Sequence, residues 1–413
     1  MSEQEASRIE VECCIAGGGP AGMMLGFLLA RAGVDVLVLE KHGDFLRDFR
    51  GDTIHPSTLE VIGELGLLEA FLARPHQEVR ELRAQIGNMD GPVADFTHLP
   101  TRCKFLVLMP QWDFLDFLAE KARGYPTFRL MMEAEVTGLR REAATGRVIG
   151  VTARTRDGVV DVASDLVVDA EGRHSSLRDM AGFTVIELGA PMDVLWFRIS
   201  RRPDDGGYTF GHADRGGMLV TINRGDYWQC ALIIAKGSFP AMQARGLDAF
   251  RKDVARLAPP LGDRTDEVRG WDDVKLLSVA LDRAARWHQA GILLIGDAAH
   301  AMTPIGGVGI NLAIQDAVAA ANILAEKLRQ RTVTAADLAL VQERRDFPTR
   351  ATQTMQRVIQ ERVISKVLAG EGPVEPPALV RLIYRWPILR RIPAHLVGIG
   401  FRPEHVEAAA YRA

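Results

Sequence analysis

Between Gly17 and Gly22 the chain reads Gly-Gly-Gly-Pro-Ala-Gly, a G-x-G-x-x-G. Set between a strand and a helix, this spacing holds a pyrophosphate. Gly17 permits the tight turn, Gly19 lets backbone approach the phosphates, and Gly22 lets the helix pack on the sheet. The helix opening at Pro20 and Ala21 offers free N–H groups and a positive dipole end. Glu40 follows Gly22 by 18 residues (40 − 22), with Lys41 after it. A carboxylate there accepts hydrogen bonds from both ribose hydroxyls of an adenosine and disfavours a 2′-phosphate, so the site suits FAD or NAD over NADP. A glycine-rich turn without a ligand is the plain alternative. The series strand, helix, strand and acid argues against it.

A second constellation selects the dinucleotide. Leu294-Ile295-Gly296-Asp297-Ala298-Ala299-His300 is followed by Pro304, Gly306, Gly307, Gly309, Ile310 and Asn311. Asp297 is expected at the carboxyl end of a strand, where it can hold a polyol hydroxyl. The glycine loop then enters a helix near Val308. Its N-terminus would face an electron-rich ring, and a reduced flavin carries negative charge that such an end stabilises. His300, just after the strand end, reads as structural. A third segment runs from Val167 to Arg178 through Asp169, Glu171, Gly172, Ser175 and Ser176.

The three motifs, in this order, resemble those of the FAD-dependent aromatic hydroxylases (class A, p-hydroxybenzoate hydroxylase-like) from about Val11 to Asp316. Glu171 stands where that family usually has Asp. The resemblance implies that Arg50 lies beside the pyrophosphate and flavin. It also implies that Gln111 contacts the flavin chain and that the backbone at Val136 meets the adenine. It implies a reaction in which NADH or NADPH reduces FAD, dioxygen adds at the flavin 4a carbon to give a hydroperoxide, and one oxygen passes to a small, often aromatic, substrate. The flavin carries that chemistry and the protein supplies positioning, so no catalytic acid or base is demanded. His55 is the one candidate for a proton shuttle. Only one strand-linked G-x-G-x-x-G is present, so the nicotinamide donor is expected in a surface groove, with Arg47, Arg173 and Arg178 as candidate contacts.

These residues need particular elements to position them. Val11–Ala16, Pro20–Arg31 and Val34–Leu39 read as a strand–helix–strand unit. Ser57–Leu72 and Asp113–Arg123 read as helices, 133–161 as strands, Asp165–Val168 and Ile292–Ile295 as buried strands, and the chain beyond Val308 as mostly helical. Alternation from Met192 to Ala235, broken by turn residues, reads as an antiparallel sheet. The expected fold is α/β: a Rossmann-like FAD domain of the glutathione-reductase type, interrupted by a mainly antiparallel substrate domain and closed by a helical C-terminus. The FAD domain takes residues 1–75, 111–182 and 286–330. A hairpin at 76–110 and a sheet at 183–285 form the substrate domain, and 331–413 the helical region. The substrate should lie between that sheet and the flavin, near Trp196, Arg198, Tyr208, Phe210, His212, Met218 and Trp228.

Composition excludes other classes. The 413 residues carry 50 Lys and Arg against 53 Asp and Glu, with no basic patch for nucleic acid. The polar start lacks a signal-peptide core, and no apolar run reaches a membrane span. Cys13, Cys14, Cys103 and Cys230 show no metal-ligand spacing, so no metal is expected and a reduced, cytoplasmic chain is. The stretch from Trp386 to Phe401, broken by Pro387 and Pro393, reads as helix packed on the flavin domain or a dimer contact rather than a membrane anchor. The expected assembly is a monomer or homodimer. Other flavoenzymes on the same fold (a prenyl-chain reductase or an oxidase) and a non-catalytic FAD-binding protein remain alternatives. A Trp-x-Trp-x-Ile-Pro halogenase motif is absent, and Tyr384-Arg385-Trp386-Pro387 is not one.

Overall fold

A computed structural model describes residues 7–46, 53–205, 210–214, 216–370 and 374–407. Its first elements are β1 (Ser7–Ala16), α1 (Pro20–Arg31) and β2 (Val36–Glu40). There follow α2 (Pro56–Glu64), β3 (Glu81–Ile86), β4 (Met89–Asp95), α3 (Gln111–Ala122), β5 (Phe128–Met132), β6 (Glu135–Arg141), β7 (Val148–Thr155), β8 (Gly158–Asp169) and α4 (Ser176–Met180). The middle of the chain supplies β9 (Met192–Ser200), β10 (Phe210–Asp214), β11 (Gly217–Asn223), β12 (Tyr227–Ala235) and α5 (Leu247–Leu257). The last part holds β13 (Ile292–Leu294), α6 (Gly309–Arg329), α7 (Ala335–Ile359) and α8 (Arg391–Gly398).

The first sheet contains the parallel series β13-β8-β1-β2-β5, with β7 and β6 added antiparallel beside β8. Cys13, Cys14, Ile15 and Ala16 are buried on both faces, as a central parallel strand requires. Register puts Ala16 opposite Asp169 and Asp169 opposite Leu294. The strands preceding the three motifs therefore end in one row. The motifs emerge together at the carboxyl edge, where open α/β sheets bind ligands.

The second sheet runs β9-β12-β11-β10-β3-β4, with Lys275–Leu277 outside β9. The hairpin β3–β4 joins it through a parallel pairing of β3 with β10. One face packs on α5 through Leu195, Phe197, Leu219, Cys230, Leu232 and Phe250. The other carries Val194, Trp196, Met218, Val220, Ala231 and Ile233, and meets Ile305 of the motif loop and Ile364 beyond α7.

Local differences from the sequence reading have simple causes. The helix expected over Ser57–Leu72 breaks into Pro56–Glu64 and Leu68–Leu72, because Gly66 takes φ +74 between them. The two strands expected on either side of Ser164 are one twelve-residue strand, β8. α8 packs on the β4 hairpin, with Ala394 and Val397 against Ala94, Phe96 and Leu99, and its Val397 also reaches His55 at the start of α2. α6 is long and apolar enough to cross a membrane, but it is buried as the central helix of the fold.

Candidate FAD site and its helical support

The turn after β1 is set by what each glycine touches. Gly17 has φ +104, its N–H donates to the Leu39 carbonyl at 2.7 Å, and a Cβ would lie 2.3 Å from the Ala170 oxygen. A Cβ on Gly22 would lie 2.0 Å from the Gly17 oxygen. These two glycines are demanded by the protein's own packing. Gly19 differs. It is the N-cap of α1 at φ −74, and a Cβ there would meet nothing within 4 Å. The open space above Gly19, at a helix start with unpaired amides and Pro20 in the first turn, is the cradle a pyrophosphate fits.

Glu40 is 7% exposed at the end of β2. Its carboxylate accepts from the Gly18 N–H at 2.8 Å and the His42 N–H at 3.0 Å. These bonds fix it beside the glycine turn. Lys41 next to it is exposed. The Ala134 N–H donates to the Glu40 carbonyl at 2.9 Å, which sets the start of β6, and with it Val136, beside the same edge. Gln111 is the first residue of α3 and is partly exposed. Arg50, Arg47 and Tyr208 lie outside the described residues.

At the end of β8, Asp169 is fully buried and accepts from Ser175 Oγ at 2.6 Å and the Glu171 N–H at 3.1 Å. Burial pushes its pKa up to about 7. The unusual Glu171 has a clear place. Its longer side chain folds over the start of α4, accepting from the Leu177 N–H at 3.0 Å and Ser176 Oγ at 3.1 Å. It therefore acts as a helix cap. Arg173 reaches Asp297 at 3.6 Å and donates to the Ser278 carbonyl at 3.2 Å. Arg178, expected in the donor groove, is 7% exposed and donates to the carbonyls of Ala298 (3.2 Å) and Arg173 (2.8 Å). It ties two motifs together and is turned away from a surface ligand.

Asp297 stands partly exposed just beyond β13. Behind it lies a network that the motif spacing did not reveal. Asp316 of α6 accepts from the Gly296 N–H at 3.0 Å, meets His300 Nε2 at 2.6 Å and accepts from Arg345 Nε at 3.0 Å. Asp316 and Arg345 are at most 1% exposed. Burial pushes the Asp316 pKa up, but His300 and Arg345 more than offset it and hold the carboxyl below its ordinary range. His300 is thus a structural residue. The only sequence signal for the network was an acid five residues past Asn311 and an arginine on the next helix.

From Pro304 the chain makes a short turn through Gly306 (φ +76) and Gly307 (φ +64) and enters α6 at Gly309. The amides of Gly309, Ile310 and Asn311 lie in the first turn and lack intrahelical acceptors. No protein atom would come closer than 4.0 Å to a Cβ on Gly309. The Asn311 side chain is used inside the protein: Oδ1 accepts from the His55 N–H at 3.0 Å and Thr58 Oγ1 at 2.7 Å. His55 is fully buried, with Nδ1 2.5 Å from the Val397 carbonyl. Burial drives its pKa down to about 4, against the opposing carbonyls of Val397 and Gly307. A ring that is neutral at pH 7 and bonded to backbone tethers α8 to the loop. That placement removes the basis for a proton shuttle.

The second sheet sorts the candidate lining residues by register. Trp196 pairs with Ala231, and Met218 with Ile233, on the face that meets Ile305. Arg198 is two residues beyond Trp196 on the same strand and so shares its face. Trp228 pairs with Ile199 and donates from Nε1 to Asp205 at 3.0 Å within the opposite core. His212 pairs with Leu219, also of the opposite face, and Phe210 pairs with Thr221. The alternation was read correctly, but the loops between strands shifted its phase, so Trp228 and His212 lie away from the face that meets Ile305.

The comparison with known proteins agrees with this geometry. A family described as "FAD binding domain" matches residues 10–355. The chain belongs to this family. A 6-methylpretetramide 4-monooxygenase of Streptomyces rimosus is 33% identical over 395 residues, 94% of this chain and 93% of that protein. A dialkyldecalin synthase of Streptomyces rugosporus is 30% identical over 326 residues, though these are only 63% of its length. A crystal structure of PqsL, a probable FAD-dependent monooxygenase from Pseudomonas aeruginosa, superposes with TM-score 0.73 at 23% identity, covering 87% of this chain and 99% of that one, and shows the shared fold. The family-level function is that of an FAD-dependent monooxygenase, an oxidoreductase that takes NAD(P)H as reductant.

Proposed function

We propose that this chain hydroxylates a fused-ring aromatic compound of the phenolic polyketide type. The observation that carries this reading is the end-to-end match to the 6-methylpretetramide 4-monooxygenase. The two-faced sheet supports it. The side toward Ile305 is broad, with Trp196, Ala231, Met218 and Val220 spread over three strands, a shape suited to a flat ring system.

Bound FAD supplies the redox chemistry, carrying electrons from NAD(P)H to dioxygen and one oxygen atom to the substrate. The chain's own residues bind and orient. Gly19 and the first turn of α1 take the pyrophosphate, Glu40 the adenosine ribose, and Asp297 the ribityl chain. The amides of Gly309, Ile310 and Asn311 are placed for the electron-rich edge of the ring. Trp196 and Ile305 exclude water from the substrate's side. No buried acid or base is assigned a proton at the substrate. The roles of Lys41, Gln111, Val136 and Pro304 as cofactor contacts are part of the same reading, as is a cytoplasmic monomer or homodimer.

The test is turnover in air. The purified protein with FAD is given NADH or NADPH and a panel of fused-ring phenols, and products are weighed after labelling with heavy dioxygen. One labelled oxygen per product supports hydroxylation. A product isomeric with its precursor would favour instead the ring-forming chemistry named for the dialkyldecalin synthase. Failure to bind FAD would refute both readings.

A further inference from the structure

α7 is unusual for a helix packed in a protein interior, because its inward stripe is polar. Arg345, Thr349, Thr352, Gln353 and Gln356 recur at helical spacing, and none is more than 3% exposed. A buried polar stripe costs free energy unless each group is matched. Gln356 is matched wholly by the loop that runs from His300 into the glycines, and Gln353 partly so.

Gln356 Oε1 accepts from the Thr303 N–H at 3.2 Å, while Nε2 donates to the carbonyls of Thr303 and Ile305, each at 3.0 Å. One turn earlier, Gln353 Nε2 donates to the carbonyls of Asp282 (2.7 Å) and Ala301 (3.3 Å), and Oε1 accepts from Arg283 Nη1 at 3.1 Å. Residues 301, 303 and 305 are thus held along one edge, as by a neighbouring strand, with carboxamides in place of peptide groups. Pro304, which has no N–H to give, sits between the two residues that Gln356 holds.

We propose that Gln356 is the positioning residue of this loop: its carboxamide sets the path of residues 303–305 and thereby the place of Pro304 and the first amides of α6 against the flavin ring. The inference rests on the reading of that loop as the flavin contact. The chemistry explains why an amide is used. The site presents one donor and two acceptors, and only a carboxamide answers both kinds at this length. A carboxylate would turn lone pairs toward two carbonyls. A methionine would leave three buried backbone groups unpaired, which a folded chain avoids.

The experiment uses the full chain and two variants, Gln356→Met and Gln356→Glu. FAD affinity, the visible circular dichroism of bound flavin, and hydrogen exchange of the peptide covering residues 299–307 are read at pH 5.5 and pH 8, with wild type at each pH. Gln356→Met should exchange that peptide about tenfold faster, bind FAD roughly tenfold more weakly at both pH values, and alter the flavin dichroism; tenfold is the scale of one net hydrogen bond. Gln356→Glu should match it at pH 8 and move back toward wild type at pH 5.5. There the buried carboxyl is neutral, and can accept from Thr303 N–H while donating to one carbonyl. A purely structural residue would lower the melting temperature without this pH-dependent recovery. Unchanged exchange at 299–307, or unchanged FAD affinity and dichroism in both variants, overturns the proposal. Loss of FAD binding by wild type itself would instead sink the cofactor reading, and the exchange data would still decide whether Gln356 holds the loop.

Discussion

The two glycines at either end of the first tight turn should fail in opposite ways when given a methyl group. At Gly17 the backbone sits at φ +104, and the new Cβ would lie 2.3 Å from the Ala170 oxygen. A side chain in that sparsely allowed region costs about 1–3 kcal/mol. The overlap with a backbone atom adds to it, because neither strand end can move without breaking register. Gly17→Ala should therefore destabilise the apoprotein by about 3 kcal/mol or more, lowering its melting temperature by roughly 3–4 °C for a chain of 413 residues. At Gly19 the backbone is at φ −74 and the methyl would meet nothing within 4 Å. Gly19→Ala should leave the apoprotein within about 1 kcal/mol of wild type. It should instead weaken FAD, because the methyl occupies the space a phosphate needs to reach the amides of α1. Losing one charge-assisted hydrogen bond, about 1.5–3 kcal/mol, corresponds to roughly 10- to 100-fold in Kd. The assay is thermal melting with and without FAD, beside titration of apoprotein by flavin fluorescence. At FAD a hundredfold above the wild-type Kd, wild type gains about 2.7 kcal/mol, and a variant weakened a hundredfold gains only about 0.4 kcal/mol. If Gly19→Ala is stabilised by FAD as wild type is, or if apo Gly17→Ala melts with wild type, the division of labour argued here is wrong.

Three further outcomes are expected. Arg345→Met leaves the buried Asp316 carboxylate without its guanidinium and should cost about 3–5 kcal/mol in denaturant unfolding; a loss under about 1 kcal/mol would contradict the network. With a folded pKa near 4, His55 binds fewer protons than in the unfolded chain between about pH 4 and 6.5. Its contribution is therefore intact above pH 6.5 and is lost as pH falls through that window, by up to about 3 kcal/mol. His55→Gln should flatten that part of the stability–pH curve, and an unchanged slope would place the acid sensitivity elsewhere. Trp196→Ala should raise KM for the aromatic substrate while leaving FAD binding intact. Trp228→Ala should leave KM alone and cost about 3–5 kcal/mol of stability; the reverse pattern would put the substrate on the other face of the sheet.

The parts of the site legible in the sequence were those governed by local rules. A tight turn before a helix needs glycine at fixed offsets, so the places of Gly17, Gly19 and Gly22 in that turn were readable, as were those of Glu40 and Asp297 at strand ends. The row formed by β13, β8 and β1 followed from three buried strands, each ending in a motif. What could not be read depends on contacts between distant segments. Nothing near Gln356 announces that it serves Thr303, and nothing near Val397 announces His55. Periodicity placed Trp228 and Trp196 on strands but not on faces, because the turns between strands set the phase. Arg178 was read as a surface cation because a sequence does not show that the carbonyls of Ala298 and Arg173 take it inward. Glu171, read as a departure from a pattern, became intelligible once the start of α4 lay within its reach.

The tether between α8 and the glycine loop also bears on how the molecule comes into being. His55 meets Asn311 across 256 positions of chain and Val397 across 342. Contacts of that separation close late, since the entropy of bringing the ends together precedes any reward. During synthesis the first strand–helix–strand unit is made early, whereas the glycine loop gains its Gln356 contacts only with α7 and its tie to α8 through His55 only once residue 397 is made. A nascent chain stalled before α8 is therefore expected to retain FAD less well than the full chain, which FAD titration of a chain truncated before Arg391 checks.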